Sequence, residues 1–379
     1  MSDDVELAAS LVREAGTLAA AMLLEGLTTK HKTSISDVVS AADHAAEDHV
    51  VDRLRTERPG DGVVGEEGAN SPAARTWFVD PVDGTYNFLS GLPTWCAAVA
   101  LTDPDGTVLG AVYQPTTDEL WVGGRDTPTT LNGVALTPMA DRPLAELSVA
   151  SYLHPTTLPD DGAREPLQRV WQRAATVRML GSGSVELASV ASGRLGAWVQ
   201  IDSLEWDWLP GAALVQAAGG TTDVFTASGH RWHVAGPPTA VAEIAALIRG
   251  EQIERDLPSR LRGLVDDAAL RFGSAPRMHF EGDLITLTDP IAATLEAALA
   301  EALDNVIRHA YASTIDVSIT VSRKNVVLVA RDDGVGPNDE PTTGAGLRIT
   351  TERAEALGGS FTVEPNEPLG TTVTLTLPR

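Results

Sequence analysis

The chain has 379 residues, 43% of them hydrophobic and 21% charged, so its length predicts two or three domains of ordinary globular composition. Its net charge of −24 argues against nucleic acid as the main partner, because such binders gain affinity by neutralising phosphates. Small phosphorylated ligands stay compatible with this charge, since metal ions reverse the local potential.

Three observations bear on location. The acidic start has neither the basic region nor the apolar core of a secretory signal, and no apolar run approaches the roughly 18 residues of a membrane span. The single cysteine, Cys96, permits no intrachain disulfide. We therefore expect no membrane association and a reducing, cytoplasmic location.

The first 249 residues alternate helical and strand patterns, and we assign them to one domain. Apolar residues recur at helical spacing over residues 5–24 and 43–54, which predicts two amphipathic helices. Apolar runs bounded by Gly, Pro or Asp then predict strands, namely "TWFVD", "AAVALTD" and "VLGAVYQP". Further on, "VELASVASGRLGAWVQ" predicts a helix followed by a strand, and "GAALVQAAGG" predicts a buried helix that ends at a glycine pair.

The pattern changes near residue 250, after the turn-like segment "VAGPP". Residues 250–278 are rich in charge and predict a helical linker. Residues 279–379 predict a compact second α/β domain, because helical and strand patterns alternate again around a glycine-rich stretch. We therefore expect two folded domains joined by a charged helix.

Acidic residues follow the predicted strands of the first domain. Asp80 ends an apolar run, and Asp83 follows three positions later, directly before Gly84 and Thr85. Two carboxylates about 4 Å apart repel by roughly 4 kcal/mol at an effective dielectric near 20, so such a group stays ionised only beside cations. Oxygen ligands of this kind suit Mg²⁺. Aspartates that cap a helix at a strand end are the other interpretation of this motif alone.

Other acidic segments make the metal interpretation stronger. Glu66 follows the apolar pair Val63–Val64, again at a strand end, and Asp43 lies in "SDVVSAAD". Asp207 lies at the start of a predicted helix, where a simple N-cap is the alternative interpretation.

Together these segments resemble the inositol monophosphatase family, the Mg²⁺-dependent, lithium-sensitive sugar-phosphate phosphatases. "GEE", "DPVDGTYNF" and "WDWLPGAALVQAAGG" occur in the family's order, with "DVVSAAD" upstream and "GSGSVELASVASGRLGAW" in the penultimate block. The resemblance covers about the first 245 residues. It implies a layered αβαβα sandwich and a phosphomonoesterase that acts on a small sugar or inositol phosphate through a metal-activated water.

The resemblance also implies the metal ligands. Glu66, Asp80 and the main-chain carbonyl of Val82 would hold one Mg²⁺. Asp80, Asp83 and Asp207 would hold a second, and Glu66 would help to hold a third. Two or three ions at one site fit phosphate monoester hydrolysis, one of the slowest uncatalysed reactions, because they generate the nucleophile and stabilise the leaving oxygen.

The remaining catalytic and substrate roles follow from the same resemblance. Thr85, paired with Asp43, would orient and deprotonate the attacking water, with Glu66 as the third catalytic residue. The amides of Gly84 and Thr85 would cradle the phosphate, since glycine lets the backbone approach and helix-start amides attract anions. The implied substrate contacts are Asp83, Gly84, Thr85, Gln200 and Asp207.

Gln200 is a departure from the family pattern. Members that act on inositol phosphate usually carry a carboxylate at this position, seven residues before Asp207, to bind sugar hydroxyls. An amide still bonds a hydroxyl, so activity is expected, but the identity of the leaving alcohol stays open. Histidinol phosphate and other sugar phosphates are the alternatives to inositol phosphate.

The second domain carries its own ordered motifs. Glu301 and Asn305 lie four residues apart on one helical face, for which a half-exposed polar face is the other interpretation. Asp332 ends a strand and precedes a run of glycines at 334 and 336, and a second pair occurs at 344 and 346. In this order, the polar helix, the strand-end aspartate with its glycines and the second glycine pair resemble the ATP-binding domain of histidine kinases and related GHKL ATPases. The resemblance covers roughly residues 280–379 and implies a two-layer α/β fold.

By that resemblance Asn305 would coordinate the Mg²⁺ of bound ATP, Glu301 would be the adjacent base, and Asp332 would accept from the adenine amino group. The residues that would line the nucleotide and its lid are Gly334, Gly336, Gly344 and Gly346. The predicted linker contains no phosphoacceptor histidine, so we predict no autophosphorylation.

The leading hypothesis is thus a cytoplasmic Mg²⁺-dependent phosphatase with a fused ATP-binding module. The alternative of another class is a regulatory, kinase-like protein whose phosphatase half only senses a ligand. A protein partner for the ATP-binding domain fits either hypothesis, and the family resemblance favours a homodimer.

Overall fold

The computed structural model describes residues 3–25, 29–31, 38–251, 257–272, 276–284, 287–310, 312–336, 345–366 and 369–379. The chain separates into two compact units, Met1–Ile253 and Glu254–Arg379, and each is described by itself. The helices are α1 (Asp3–Glu25), α2 (Ala41–Glu57), α3 (Thr85–Leu89), α4 (Asp161–Trp171), α5 (Gly183–Ala191), α6 (Glu205–Ala217), α7 (Pro238–Arg249), α8 (Leu257–Phe272), α9 (Asp289–Asn305) and α10 (Ala345–Ala356).

The strands of the N-terminal unit are β1 (Thr29–His31), β2 (Val38–Ser40), β3 (Gly62–Gly65), β4 (Asn70–Ser71), β5 (Thr76–Asp83), β6 (Cys96–Asp103), β7 (Gly106–Gln114), β8 (Glu119–Gly124), β9 (Thr127–Leu131), β10 (Val134–Ala135), β11 (Ser148–Ser151), β12 (Thr176–Arg178), β13 (Ala197–Ile201), β14 (Thr221–Ala227) and β15 (His230–Gly236). Those of the C-terminal unit are β16 (Arg277–Glu281), β17 (Ile315–Val321), β18 (Asn325–Asp332), β19 (Ser360–Pro365) and β20 (Thr371–Pro378).

Two sheets organise the N-terminal unit. The larger has the order β10-β9-β8-β7-β6-β5-β3-β4, and the smaller has the order β12-β11-β13-β15-β14. Apolar residues of α1 and α2 pack on one face of the large sheet, and α5 and α6 fill the space between its other face and the small sheet. Helices α4 and α7 cover the outer face of the small sheet. The layers are therefore αβαβα, which confirms the predicted sandwich.

The predicted elements of this unit are present with small shifts in their bounds. The two amphipathic helices are α1 and α2, and the three apolar runs are β5, β6 and β7. Each of these strands lies in the interior of the large sheet, where both faces are covered by helices. That position explains why they are continuous apolar runs instead of alternating patterns.

Helix α1 is long and apolar enough to cross a membrane by length and composition. The expectation that no apolar run approaches the length of a membrane span did not allow for this segment. In the structure its residues Leu11 and Val12 are fully buried against the large sheet. Its Glu14 side chain accepts hydrogen bonds from Arg53 of α2. These contacts make α1 a core helix of the N-terminal unit.

The C-terminal unit has two layers. Its sheet has the order β16-β17-β18-β20-β19, in which β16 and β17 are parallel and the other pairs antiparallel. Alternate residues of β17, such as Val317 and Ile319, are buried against the helices, while Asp316 on the other face is exposed. This alternation is typical of a sheet with helices on one face. The two-layer α/β architecture predicted for this domain is confirmed.

The segment predicted as a charged linker, 250–278, is different in the structure. Helix α8 occupies most of it, and its residues Leu257, Leu261 and Val265 belong to the same buried core as α9 and the sheet. The charges of α8 lie on its other face, which explains why the segment resembled a linker in sequence. The last residues of the segment begin β16. Helix α8 and the start of β16 are therefore structural parts of the C-terminal unit.

A leucine pair on α1 tests the packing of that helix. Leu11 is fully buried and Leu24 is 89% exposed, so Leu11→Ala should lower the free energy of unfolding by about 2–5 kcal/mol. Leu24→Ala should change it by no more than about 0.5 kcal/mol. All 8 tryptophans lie in the N-terminal unit, so urea unfolding followed by tryptophan fluorescence reports that unit alone. Equal effects of the two substitutions would contradict the packing.

Candidate metal centre and nucleotide site

Three carboxylates of the N-terminal unit meet between its two sheets. Asp80 and Asp83 come from the end of β5, and Asp207 comes from the first turn of α6. One oxygen of each lies within 4.8 Å of the others. The two β5 aspartates are buried, and Asp207 is partly exposed.

A bulge in β5 makes this convergence possible. Residues three apart on a regular strand point to opposite faces of the sheet. Here Asp80 pairs with Ala98 and Asp83 with Cys96, so β5 takes three steps where β6 takes two. Ala98 and Cys96 both face the α5–α6 layer. The bulge therefore turns both aspartates toward the same layer, in the way that bulges near active sites redirect side chains.

The start of α5 holds one of these carboxylates. Oδ2 of Asp83 accepts a hydrogen bond from the amide of Ser184 at 2.5 Å and another from the Ser182 hydroxyl at 3.1 Å. Ser182 is the N-cap residue of α5. Helix-start amides favour a negative charge, so they lower the cost of keeping this buried carboxylate ionised.

The electrostatics of the cluster are unfavourable without a cation. Burial, then repulsion by Glu66, Asp83 and Asp207, raises the pKa of Asp80 well above its ordinary value. Burial, then repulsion by Asp83, raises the pKa of Asp207 to about 7. Burial also raises the pKa of Asp83, although Ser184 and Ser182 oppose that shift. Closely spaced oxygen ligands whose charges repel fit a divalent metal ion, which supplies the missing positive charge.

Glu66 is a fourth acidic residue near these aspartates, but it is not one of the three whose oxygens lie within 4.8 Å of one another. It belongs to the turn after β3, and much of the residue is open to solvent. Burial of its carboxyl group, then repulsion by Asp207, Glu67, Asp43 and Asp83, raises the pKa of Glu66 to about 8. The repulsion places Glu66 near the same centre. Its assignment as a metal ligand stays a prediction.

The residues around the predicted water site come from the end of β5, the start of α3 and, far away in the chain, from α2. The Thr85 hydroxyl donates to the carbonyl oxygen of Val82 at 3.0 Å, and the Val82 amide donates to Asp80. Asp43, in the first turn of α2, is 2% exposed. Gly84 is the N-cap residue of α3 and has a φ of 93°. Catalytic pairing of Thr85 with Asp43 therefore requires the hydroxyl to turn away from Val82.

Gln200 lies on β13, directly opposite His233 of β15. Trp198, two residues earlier on the same strand face, stacks on Trp208 of α6, so Gln200 also faces the α5–α6 layer. Burial, then the charge of Arg231, lowers the pKa of His233 to about 4. The surroundings of Gln200 therefore add no positive charge from this imidazole at neutral pH.

The C-terminal unit brings its predicted polar pair together. The Asn305 amide donates to Oε1 of Glu301 at 3.0 Å along α9. Gly346, at the start of α10, packs so close to this pair that a Cβ there would lie 2.0 Å from Oε2 of Glu301. A side chain at position 346 would therefore displace the Glu301 carboxylate from its place against α10. Gly344 lies outside the described residues.

Asp332 ends β18 and is 7% exposed. Its Oδ1 accepts hydrogen bonds from the amide of Gly334 at 2.8 Å and that of Thr371 at 3.3 Å. Gly336 follows in a left-handed conformation, with φ 82°. Both of these backbone bonds end on Oδ1 and leave Oδ2 to other partners. The arrangement leaves Asp332 able to accept from a ligand's amino group.

Sequence reasoning missed several supporting residues. Ser182 and Ser184, which hold Asp83, lie in the "GSGSVEL" segment, and a serine directly before a helix is a recognisable N-cap signal. Glu47 lies one helical turn after Asp43, a spacing that places both on one face of α2. Thr371 opens the last strand, and nothing in its sequence context signals a bond to Asp332.

Comparison with known proteins gives the same division of the chain. Residues 1–253 match the model of the inositol monophosphatase family, and residues 291–379 match that of the histidine kinase-, DNA gyrase B- and HSP90-like ATPases. The inositol-1-monophosphatase of Rhizobium meliloti is 34% identical over 230 residues, which cover 59% of this chain and 86% of that protein. The fructose-1,6-bisphosphatase/inositol-1-monophosphatase of Thermotoga maritima is 28% identical, with coverages of 59% and 86%.

Solved structures of similar proteins have the fold of the N-terminal unit. The extragenic suppressor protein SuhB of Bartonella henselae is similar with a TM-score of 0.59 and 26% identity, covering 65% of this chain and 99% of that one. SuhB of Mycobacterium tuberculosis has a TM-score of 0.55 and 26% identity, with coverages of 65% and 95%. Fold, carboxylate cluster and matches together define a phosphoric monoester hydrolase. The chain belongs to the inositol monophosphatase family and carries a fused ATPase domain of the histidine kinase type.

The raised pKa values give a test by pH. Glu66 and Asp207 hold protons more tightly in the folded protein than in the unfolded chain, so the metal-free fold should lose stability as pH rises from about 4.5 to about 8. A divalent ion should displace these protons, and its apparent affinity should rise over the same range. Calorimetric titration in two buffers of different ionisation enthalpy counts the released protons. Asp207→Asn should release fewer, and an equal number would contradict the assignment.

Proposed function

We propose that the N-terminal unit hydrolyses a small phosphorylated alcohol, with an inositol phosphate as the first candidate and Mg²⁺ as the cofactor. The observation that carries this proposal is the convergence of Asp80, Asp83 and Asp207 at one point between the sheets. Ionised carboxylates this close together repel one another, and a bound cation compensates that repulsion.

The chain's own residues have separable tasks in this reaction. When bound, the divalent ions lower the pKa of a coordinated water and stabilise negative charge on the leaving oxygen. Asp80, Asp83 and Asp207 hold the ions, with Glu66 and the Val82 carbonyl completing the set. The positions of Asp80 and Asp83 are fixed before substrate arrives, because the bulge orients both side chains and the start of α5 anchors Asp83.

Proton transfer falls to Thr85 and Asp43. Thr85 takes a proton from the attacking water and passes its own to Asp43, with Glu66 beside them. The water oxygen bonds to phosphorus as the bond to the alcohol oxygen breaks. The leaving oxygen takes a proton from a solvent water, and Asp43 returns its proton to solvent, so the products are the free alcohol and inorganic phosphate. The Gly84 and Thr85 amides are our candidates for holding the phosphate during this exchange.

Gln200 is the candidate contact for the alcohol. Its amide both donates and accepts hydrogen bonds, so it suits hydroxyl groups and gives no attraction to an ammonium group. This argues against histidinol and leaves the neutral polyols, inositol among them, as the candidate alcohols. Histidinol phosphate and other sugar phosphates are the competing substrates of the same mechanism.

The catalytic assignment predicts the effect of one isosteric change. Asp43→Asn should lower kcat about 10²- to 10⁴-fold, because the amide cannot accept the proton, while leaving metal binding intact. Asp52→Asn is the matched control, since Asp52 lies exposed on the same helix and should leave kcat unchanged. Phosphate release from inositol-1-phosphate, histidinol phosphate and fructose-1,6-bisphosphate is the measurement. No Mg²⁺-dependent release from any of them would favour the regulatory alternative.

We propose further that the C-terminal unit binds ATP with Mg²⁺. Asn305 would contact the metal, Glu301 would be the adjacent base, and Asp332 would accept from the adenine amino group. Support comes from the Asn305–Glu301 bond and from the unoccupied acceptor capacity of Asp332. The glycines at 334, 336, 344 and 346 would line the nucleotide, and a protein partner could receive its phosphoryl group.

Asn305→Ala should abolish the Mg²⁺-dependent part of ATP binding, because an alanine offers no ligand oxygen. Asn325→Ala, at an exposed position where β18 begins, is the matched control and should bind as the wild type does. Titration with a fluorescent ATP analogue, with and without Mg²⁺, measures both. Equal Mg²⁺-dependent binding by the three proteins would reject the assignment of Asn305.

We also propose a cytoplasmic homodimer. The cytoplasm fits a chain whose single cysteine, Cys96, is free and buried. The dimer rests on the family resemblance alone. Sedimentation of the purified protein tests it.

A further inference from the structure

Glu47 of α2 is a buried carboxylate to which the proposed reaction gives no role. It is 5% exposed and lies one helical turn after Asp43. Its Oε2 accepts a hydrogen bond from the amide of Glu67 at 2.8 Å, and its Oε1 accepts one from the amide of Ala69 at 2.9 Å. Both donors belong to the turn that presents Glu66. The Glu47 side chain therefore binds two backbone amides of that turn, one with each carboxylate oxygen.

The packing around this carboxylate is tight. A Cβ on Gly65 would lie 2.2 Å from Oε2 of Glu47, so a larger residue would push the carboxylate away from the turn. The Gly65 amide donates to the Ala69 carbonyl at 2.8 Å, which closes the turn on itself. The Glu66 amide donates to the carbonyl of Val79, the residue before Asp80, at 3.2 Å.

These bonds place Glu66 between two anchors. One is Val79 on β5, next to the aspartate cluster, and the other is Glu47 on α2. His44, also on α2, pairs with the Glu67 carboxylate at 3.2 Å and adds a contact from the same helix. Without the hydrogen bonds from Glu47, the turn would still be held to β5 by the bond between Glu66 and Val79. Its orientation relative to β5 would no longer be fixed from α2. Supporting hydrogen bonds of this kind orient ligating side chains at metal sites.

We propose that Glu47 is a positioning residue for the metal centre. It holds the turn at residues 65–69 so that the Glu66 carboxyl faces the aspartate trio, and it does so without touching the metal. Helix α2 then has two tasks, carrying Asp43 toward the water and fixing the turn that bears Glu66. This inference rests on the proposed function, because it assigns Glu66 to the metal.

Glu47→Gln is the sharpest test. The substitution keeps the shape of the side chain, but the new amide nitrogen is a donor and must face one of the two backbone donors. Removing the support of a metal ligand typically weakens metal affinity or activity about 10- to 100-fold. We expect a loss of that size in Mn²⁺ affinity, measured from the electron paramagnetic resonance signal of free Mn²⁺.

Asp48→Asn is the matched control. Asp48 is the next residue on α2, is exposed, and loses the same charge in the same isosteric change. It should bind Mn²⁺ as the wild type does. In activity measurements Glu47→Gln should raise the Mn²⁺ concentration for half activation by the same factor, while kcat at saturating Mn²⁺ stays near the wild-type value. A general structural role would instead lower kcat at every metal concentration.

Gly65→Ala perturbs the same contact from the other side and leaves Glu47 chemically intact. It should weaken Mn²⁺ binding as Glu47→Gln does, and the double variant should be no weaker than the weaker single one, since both break one contact. If Glu47→Gln does not fold, Gly65→Ala decides alone by the same measurement. Unchanged Mn²⁺ affinity in whichever variants fold would overturn the inference.

The outcomes separate this inference from the proposed function. If the wild-type protein binds no Mn²⁺, both fail, because there is no metal centre to position. If the wild type and Glu47→Gln bind Mn²⁺ equally, only the role of Glu47 fails. Weaker binding by Asp48→Asn to the same degree would also reject it, since loss of helix charge would then explain the effect.

Discussion

Mutual repulsion among buried carboxylates is the constraint on which the N-terminal unit depends. Asp80, Asp83 and Asp207 have oxygens within 4.8 Å of each other. Burial raises the pKa values of all three, and repulsion adds to the shift of Asp80 and Asp207. A fold gains nothing in its own stability from such a group. The surrounding architecture therefore has to keep these side chains in place against their own charges, and that need explains many of its local details.

Each element around the cluster contributes one restraint. The bulge in β5 turns Asp80 and Asp83 to one face, and the amides at the start of α5 compensate part of the charge on Asp83. Helix α6 supplies Asp207 from its first turn. The turn after β3 is fixed from α2 through Glu47. Rigid restraint of this kind lets a site hold its geometry before a ligand arrives, which is a requirement of electrostatic catalysis.

Hydrophobic periodicity predicted the helices and strands, and the family resemblances implied the layered sandwich, the two-layer second domain and the convergence of the acidic segments. They could not reveal the bulge, because strand spacing alone would send Asp80 and Asp83 to opposite faces. They also misassigned α8, whose buried leucines are as widely spaced as those of any surface helix. The hydrogen bonds from Glu47 join α2 to a turn about twenty residues away, so a local sequence pattern cannot predict them. The roles of the site residues remain predictions from family resemblance.

The offset between β5 and β6 also limits how this region of the chain can change over evolution. Most surface loops of the sandwich tolerate gained or lost residues, since only their ends are constrained. Between Asp80 and Asp83, by contrast, loss of the bulge without a change in length would restore regular pairing and aim the second carboxylate at α1 and α2, into an apolar layer. The bulge should therefore be kept wherever these two acids stand three residues apart.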